Sequence, residues 1–140
     1  MKSFILSIVI LFGGTMMTNA QDIIQRPNSY NYTKGIDLAH EGKTSEALES
    51  FEKELKDNPK NGYAYSWIGA IYIKLEEYGS ALSAIKNSLK YLPAKDEDFV
   101  ANSYKALSTV YLNVQDTLQA YTTLGDGLKA YRNNEDLLET

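Results

Sequence analysis

A spacing of 34 residues runs through this chain and constrains it more than any other feature. Gly35 and Gly69 stand that far apart, as do Ala47 and Ala81, Phe51 and Ile85, and Pro59 and Pro93. Four residue classes in register at one period imply a repeated supersecondary unit that cannot bury its apolar face alone. A third copy follows after 39 residues: Tyr65 to Tyr104, Ile68 to Leu107, Tyr72 to Tyr111, Ala81 to Ala120. The extra residues fall at Ala94-Lys95-Asp96-Glu97-Asp98, a polar stretch after Pro93 that reads as a solvated linker capping the helix after it.

Each copy divides into two helical patterns. Tyr65, Ile68, Gly69 and Tyr72 recur at i, i+3, i+4 and i+7, and Ala81, Leu82, Ile85 and Leu89 repeat the pattern after a polar break. Pro59 and Pro93 close the second helix of their copies, because proline cannot continue it. Asp116 or Thr117 is placed to cap the last helix. The expected helices span about 29–41, 45–58, 62–75, 78–91, 97–113 and 117–131, with no sustained strand alternation. Gly69 and Ala81 are small where the two helices of a hairpin approach closely.

Tyr65-x2-Ile68-Gly69-x2-Tyr72, then Ala81-x3-Ile85, then Pro93, resembles the tetratricopeptide repeat family, with its W-x2-L-G-x2-Y, A-x3-F and P signature. The first copy keeps Gly35, Ala47, Phe51 and Pro59 but has Asn31 and Lys34 at usually apolar places. The third keeps Tyr104, Leu107, Tyr111, Ala120 and Leu124, with Ser108 for glycine and Arg132 for proline. The resemblance implies an all-α fold: antiparallel helix hairpins stacked as a right-handed superhelical solenoid, in three repeats at 28–61, 62–95 and 101–134. Residues 135–140 would open a fourth repeat or a capping helix.

Before the repeats, Lys2 precedes an uncharged apolar run from Phe4 to Phe12, Gly13-Gly14 breaks it, and Thr18-Asn19-Ala20 follows. That order is a secretory signal peptide over 1–20, with cleavage before Gln21 and a short segment 21–27 leading into the repeats. These nine residues rise about 14 Å as a helix, against a bilayer core of roughly 30 Å, so the run is too short to span a membrane. The expectation is an exported protein, periplasmic or secreted, with no membrane insertion once the signal is removed. Without cysteine the chain has neither disulfides nor thiolate ligands. A net charge of −4 argues against broad nucleic-acid binding, which needs clustered cations.

Catalytic chemistry finds no constellation, and neither a cofactor nor a metal site is expected. His40, the only histidine, reads as a helix-end residue favoured by the macrodipole. Asp96-Glu97-Asp98 would begin a calcium loop, but Val100, Ala101 and Leu107 occupy its remaining essential places. Gly125-Asp126-Gly127 lies inside a helical pattern and lacks the lysine of a phosphate loop. The reading is a non-catalytic scaffold that binds a protein or extended peptide. The competing reading is the repeat segment of a longer exported enzyme or sensor, whose active domain lies beyond residue 140.

The resemblance also implies which face binds: the first helix of each repeat lines the concave surface. On that footing the candidate groove residues are Tyr32, Ile36, Tyr63, Trp67, Lys74, Asn102, Lys105 and Asn113. The carboxylate clamp of family members that bind chaperone C-termini does not transfer, because Tyr32, Ile36, Trp67, Asn102 and Ala106 hold its positions. The implied inner positions carry no Asp or Glu, although the chain has 18. Either they suit a partner with aromatic or apolar anchors and an acidic residue, or first helices are simply apolar and acids gather on second helices. In the first case Trp67, Tyr32 and Tyr63 supply contact area, while Lys74 and Lys105 steer association. Leu124, Leu128 and Tyr121 are expected to form an exposed patch, with either self-association through the last repeat or a frayed helix over 117–131 as its consequence.

Overall fold

The structure, a computed structural model, describes residues 24–131. The signal peptide expected over 1–20 and the fourth-repeat start over 135–140 lie outside the described residues. Six helices follow one another: α1 (Tyr30–His40), α2 (Thr44–Asp57), α3 (Gly62–Lys74), α4 (Tyr78–Tyr91), α5 (Glu97–Asn113) and α6 (Thr117–Ala130). Among the described residues there is no strand. Every boundary falls within one residue of the span expected from periodicity.

The chain reverses direction three times by the same backbone device. Gly42, Glu76 and Gln115 each take positive φ, at 77°, 59° and 63°. In each turn the next N–H reaches back to a carbonyl of the preceding helix: Lys43 to Leu38, Glu77 to Tyr72, Asp116 to Tyr111. That is the Schellman pattern, which satisfies carbonyls a helix end would otherwise leave bare. At the following N-terminus Asp116 accepts a bond from the Gln119 N–H at 3.1 Å, and Asn61 does the same for Ala64.

Within each hairpin the helices meet through matched small and large residues. A β-carbon on Gly35 would lie 2.7 Å from the Phe51 ring, and one on Gly69 would lie 2.6 Å from Ile85 Cγ1. Phe51 and Ile85 are fully buried in consequence. Ala47, Ala81 and Ala120 are buried in the same register. In the third hairpin Ser108 replaces the glycine and donates its hydroxyl to the Ala120 carbonyl at 3.2 Å. Two apolar clusters result, one running from the first hairpin through the second to Val100 at the start of α5, and one joining the second and third hairpins.

Between hairpins, α1 touches α3 and α3 touches α5, whereas no contact joins α2 to α4 or α4 to α6. An array whose first helices meet and whose second helices do not must curve with the first helices inside. The sequence expectation needs one correction here. The inserted residues do not all form a linker, because α5 begins four residues ahead of the register set by Gly62 and gains about one turn. Asp96, expected in solvent, is fully buried, and it sits before α5 without a side-chain capping bond.

Candidate protein-binding surface

The inner face is built from α1, α3 and α5, and the structure sorts the expected groove residues into two groups. Tyr32 and Tyr63 are 3% and 4% exposed, so neither presents its ring to a partner. Tyr32 packs against Phe51, with ring centroids 6.1 Å apart. Tyr63 meets the edge of Phe99 at 4.8 Å and donates its hydroxyl to Asp96 at 2.9 Å. Trp67 is half-buried, stacked on Phe51 at 6.1 Å with His40 edge-on at 5.6 Å. Its indole nitrogen is buried and has no hydrogen-bond acceptor. Ile36 is half-buried against the same cluster. Residues expected as binding anchors therefore spend most of their surface inside the protein, because aromatic side chains large enough to anchor a guest are the same ones a thin array needs for its core.

Lys74, Asn102 and Asn113 are exposed and Lys105 is half-exposed. No carboxylate among the described residues forms an ion pair with Lys74 or Lys105. Asn113 is already engaged, accepting from the Tyr78 hydroxyl at 3.1 Å and donating to the Thr109 carbonyl at 2.8 Å. Ala70 and Leu112 are exposed on the same helices, and Ile73 and Ala106 are half-exposed. The face thus combines small and aliphatic side chains with two free ammonium groups.

A second assembly, which periodicity could not reveal, gathers at the N-terminal ends of the inner helices. Arg26 precedes α1 and reaches Asp96, 70 residues away, with Nε to Oδ2 at 2.9 Å and Nη2 to Oδ1 at 3.0 Å. The guanidinium also lies 4.7 Å over the Phe99 ring. Burial alone would raise the Asp96 pKa, but hydrogen bonds from Arg26 and Tyr63 and the guanidinium charge outweigh it and hold the carboxyl below its ordinary range. Burial and the Asp96 contact push the Tyr63 phenol up to about 12. Burial also raises the Tyr32 phenol, against the opposing charge of Arg26. The only trace of this assembly in the sequence is the five-residue insertion itself, which breaks the repeat where Asp96 lies.

Next to it Glu54, also buried, accepts from Ser29 at 2.7 Å, Asn58 at 2.9 Å and Asn61 at 3.1 Å. Glu54 lines a cleft of about 560 Å³ together with Pro27 to Ser29, residues 57–63 at the junction of α2 and α3, Tyr91 and Pro93. Among the described residues no three His, Asp or Glu side chains are placed to hold a metal ion, and no helix is long and apolar enough to cross a membrane.

The architecture is similar to that of the first TPR of Spaghetti (RPAP3), solved bound to the HSP90 peptide SRMEEVD. The TM-score is 0.68 at 17% identity, covering 78% of this chain and 82% of that one. The likeness defines the fold as that of tetratricopeptide repeats. No protein-family model and no curated protein matches the sequence.

Proposed function

We propose that this protein is a non-catalytic binding scaffold whose inner face, formed by α1, α3 and α5, takes an extended segment of a partner protein. The observation that carries the reading is the pair Lys74 and Lys105, left without ion-pair partners on that face of an acidic chain. Unpaired ammonium groups beside Ala70, Ile73, Ala106 and Leu112 suit a segment with an acidic residue and aliphatic contacts. The peptide bound by the structurally similar RPAP3 repeat supports the mode of binding. The carboxylate clamp of family members that bind chaperone C-termini is not reproduced here, so the same peptide is not the expected guest.

The apolar run and Thr18-Asn19-Ala20 support export by a signal peptide, and with it a periplasmic or secreted site of action. N-terminal sequencing of exported material should return Gln21; Met1 would reject that reading. For the binding face, the test is selection from a displayed random-peptide library. The wild type should enrich acid-bearing peptides, and Lys74→Glu with Lys105→Glu should lose them, most clearly at low salt where steering is strongest. Equal enrichment by both proteins would rule this face out. Trp67→Ala is a poor probe, since it would also empty the space between Phe51 and His40.

A further inference from the structure

A polar and aromatic cluster separate from the lysine-bearing face lies at the N-terminal ends of α3 and α5. Its parts come from α3 and from the start of α5: the Asp96 carboxylate, with its side chain 1% exposed, the Tyr63 hydroxyl on Oδ2, and the Phe99 ring. A planar, five-donor cation fits all of them at once. It forms two parallel bonds to the carboxylate while its face lies over an aromatic ring, a geometry that an ammonium group cannot reproduce.

Arg26, which fills this place, belongs to an arm rather than to a repeat. Residues 24–29 lie outside every helix, and residues 24–28 make no backbone hydrogen bond within the described chain. The arm is tied by Arg26 on Asp96 and by Ser29 on Glu54, and the Arg26 side chain remains 47% exposed. Simple release would strand a buried carboxylate with only a phenol for company. Replacement by another guanidinium would keep every contact, so exchange is favoured over opening.

We propose that Asp96, Tyr63 and Phe99 form a receptor for an arginine side chain carried on an extended segment of a partner protein, with Arg26 as the resident occupant that such a segment displaces. Displacement would also withdraw Pro27 to Ser29 from the wall of the adjoining cleft, leaving room for residues flanking the incoming arginine. This site shares no residue with the lysine-bearing inner face, so either can fail without the other.

The test uses the full chain as wild type, Arg26→Ala, and Arg26→Ala combined with Asp96→Asn. The probe is a labelled peptide of residues 21–29, alongside the same peptide with lysine in place of its arginine. Arg26→Ala should bind the arginine peptide at least about tenfold more tightly than the double variant does, and more tightly than it binds the lysine peptide. Wild type should bind weakly, because its own arm competes at roughly millimolar effective concentration. Equal binding of both peptides, equal binding by the double variant, or no binding by a folded Arg26→Ala protein would overturn the proposal. If Arg26→Ala melts below the assay temperature, L-argininamide should raise its melting point while lysinamide does not. Equal effects of the two amides would likewise overturn it.

Discussion

Asp96 and Glu54 are the carboxylates buried among the described residues, and they are satisfied by opposite means. Glu54 takes three neutral donors, whereas Asp96 takes a guanidinium and a phenol. The Arg26–Asp96 pair is lopsided in exposure, so its two halves should respond unequally to removal. Arg26→Ala leaves a buried charge uncompensated and is expected to cost about 3 kcal/mol. Asp96→Asn returns Arg26 to solvent and keeps a neutral acceptor for Tyr63, for a smaller loss of about 1–2 kcal/mol. Urea denaturation of the two variants at neutral pH checks the order. The pair also sets a pH profile. Because folding lowers the Asp96 pKa from its ordinary 3.8, the unfolded chain binds that proton first as acid is added. The contribution is therefore present above that value and lost as pH falls below it. Tyr63 runs the other way, with its contribution intact below pH 10 and lost as pH climbs from 10 toward 12. Tyr63→Phe should flatten the alkaline decline in a series of thermal melts without abolishing it, since burial also raises Tyr32.

Helices and turns were the most legible part of the chain, because each is dictated by local chemistry that recurs at a fixed period. The glycines at 35 and 69 could be read as close-approach positions, and the structure places Phe51 and Ile85 against them. Gly62 could not be read this way. It belongs to no signature position, yet a β-carbon there would lie 2.5 Å from the Leu92 backbone nitrogen. At Gly69 the obstacle is the Ile85 side chain, which can turn aside, whereas a main chain packed at a hairpin junction cannot. Gly62→Ala should therefore destabilise the fold by more than Gly69→Ala, with the former at about 3 kcal/mol, as denaturant midpoints would show. The turns offer the reverse experiment. Only the first of the three equivalent left-handed positions holds glycine, and Glu76 and Gln115 adopt that conformation at a steric cost. Glu76→Gly and Gln115→Gly are expected to stabilise the protein by about 0.5–1 kcal/mol each, measured as a rise in melting temperature.

Across the whole molecule the limits of sequence reading follow from distance. The inner face was legible as a set of positions but not as a set of surfaces. Whether Tyr32, Tyr63 or Trp67 faces a guest or the neighbouring hairpin depends on how far each repeat rotates against the next, which no period encodes. The Arg26–Asp96 contact joins two stretches outside the repeating pattern, so the pattern marked Asp96 only by the break there and Arg26 not at all. At the far end, the patch expected from Leu124, Leu128 and Tyr121 has shifted by part of a turn: Leu118 and Tyr121 are 76% and 69% exposed, while Leu124 and Leu128 are half-buried. Two large apolar side chains one turn apart on α6 predict concentration-dependent self-association, which Leu118→Asp with Tyr121→Asp should abolish in sedimentation velocity. Helix-hairpin arrays couple only nearest neighbours, so they ordinarily fray from either end. Here the arm ahead of the first hairpin is fastened to the start of the third. Loss of the first hairpin therefore also withdraws support from α5, two units away, and partial unfolding from the front forfeits stability at the back. The ion pair thus couples units that a nearest-neighbour array would leave independent.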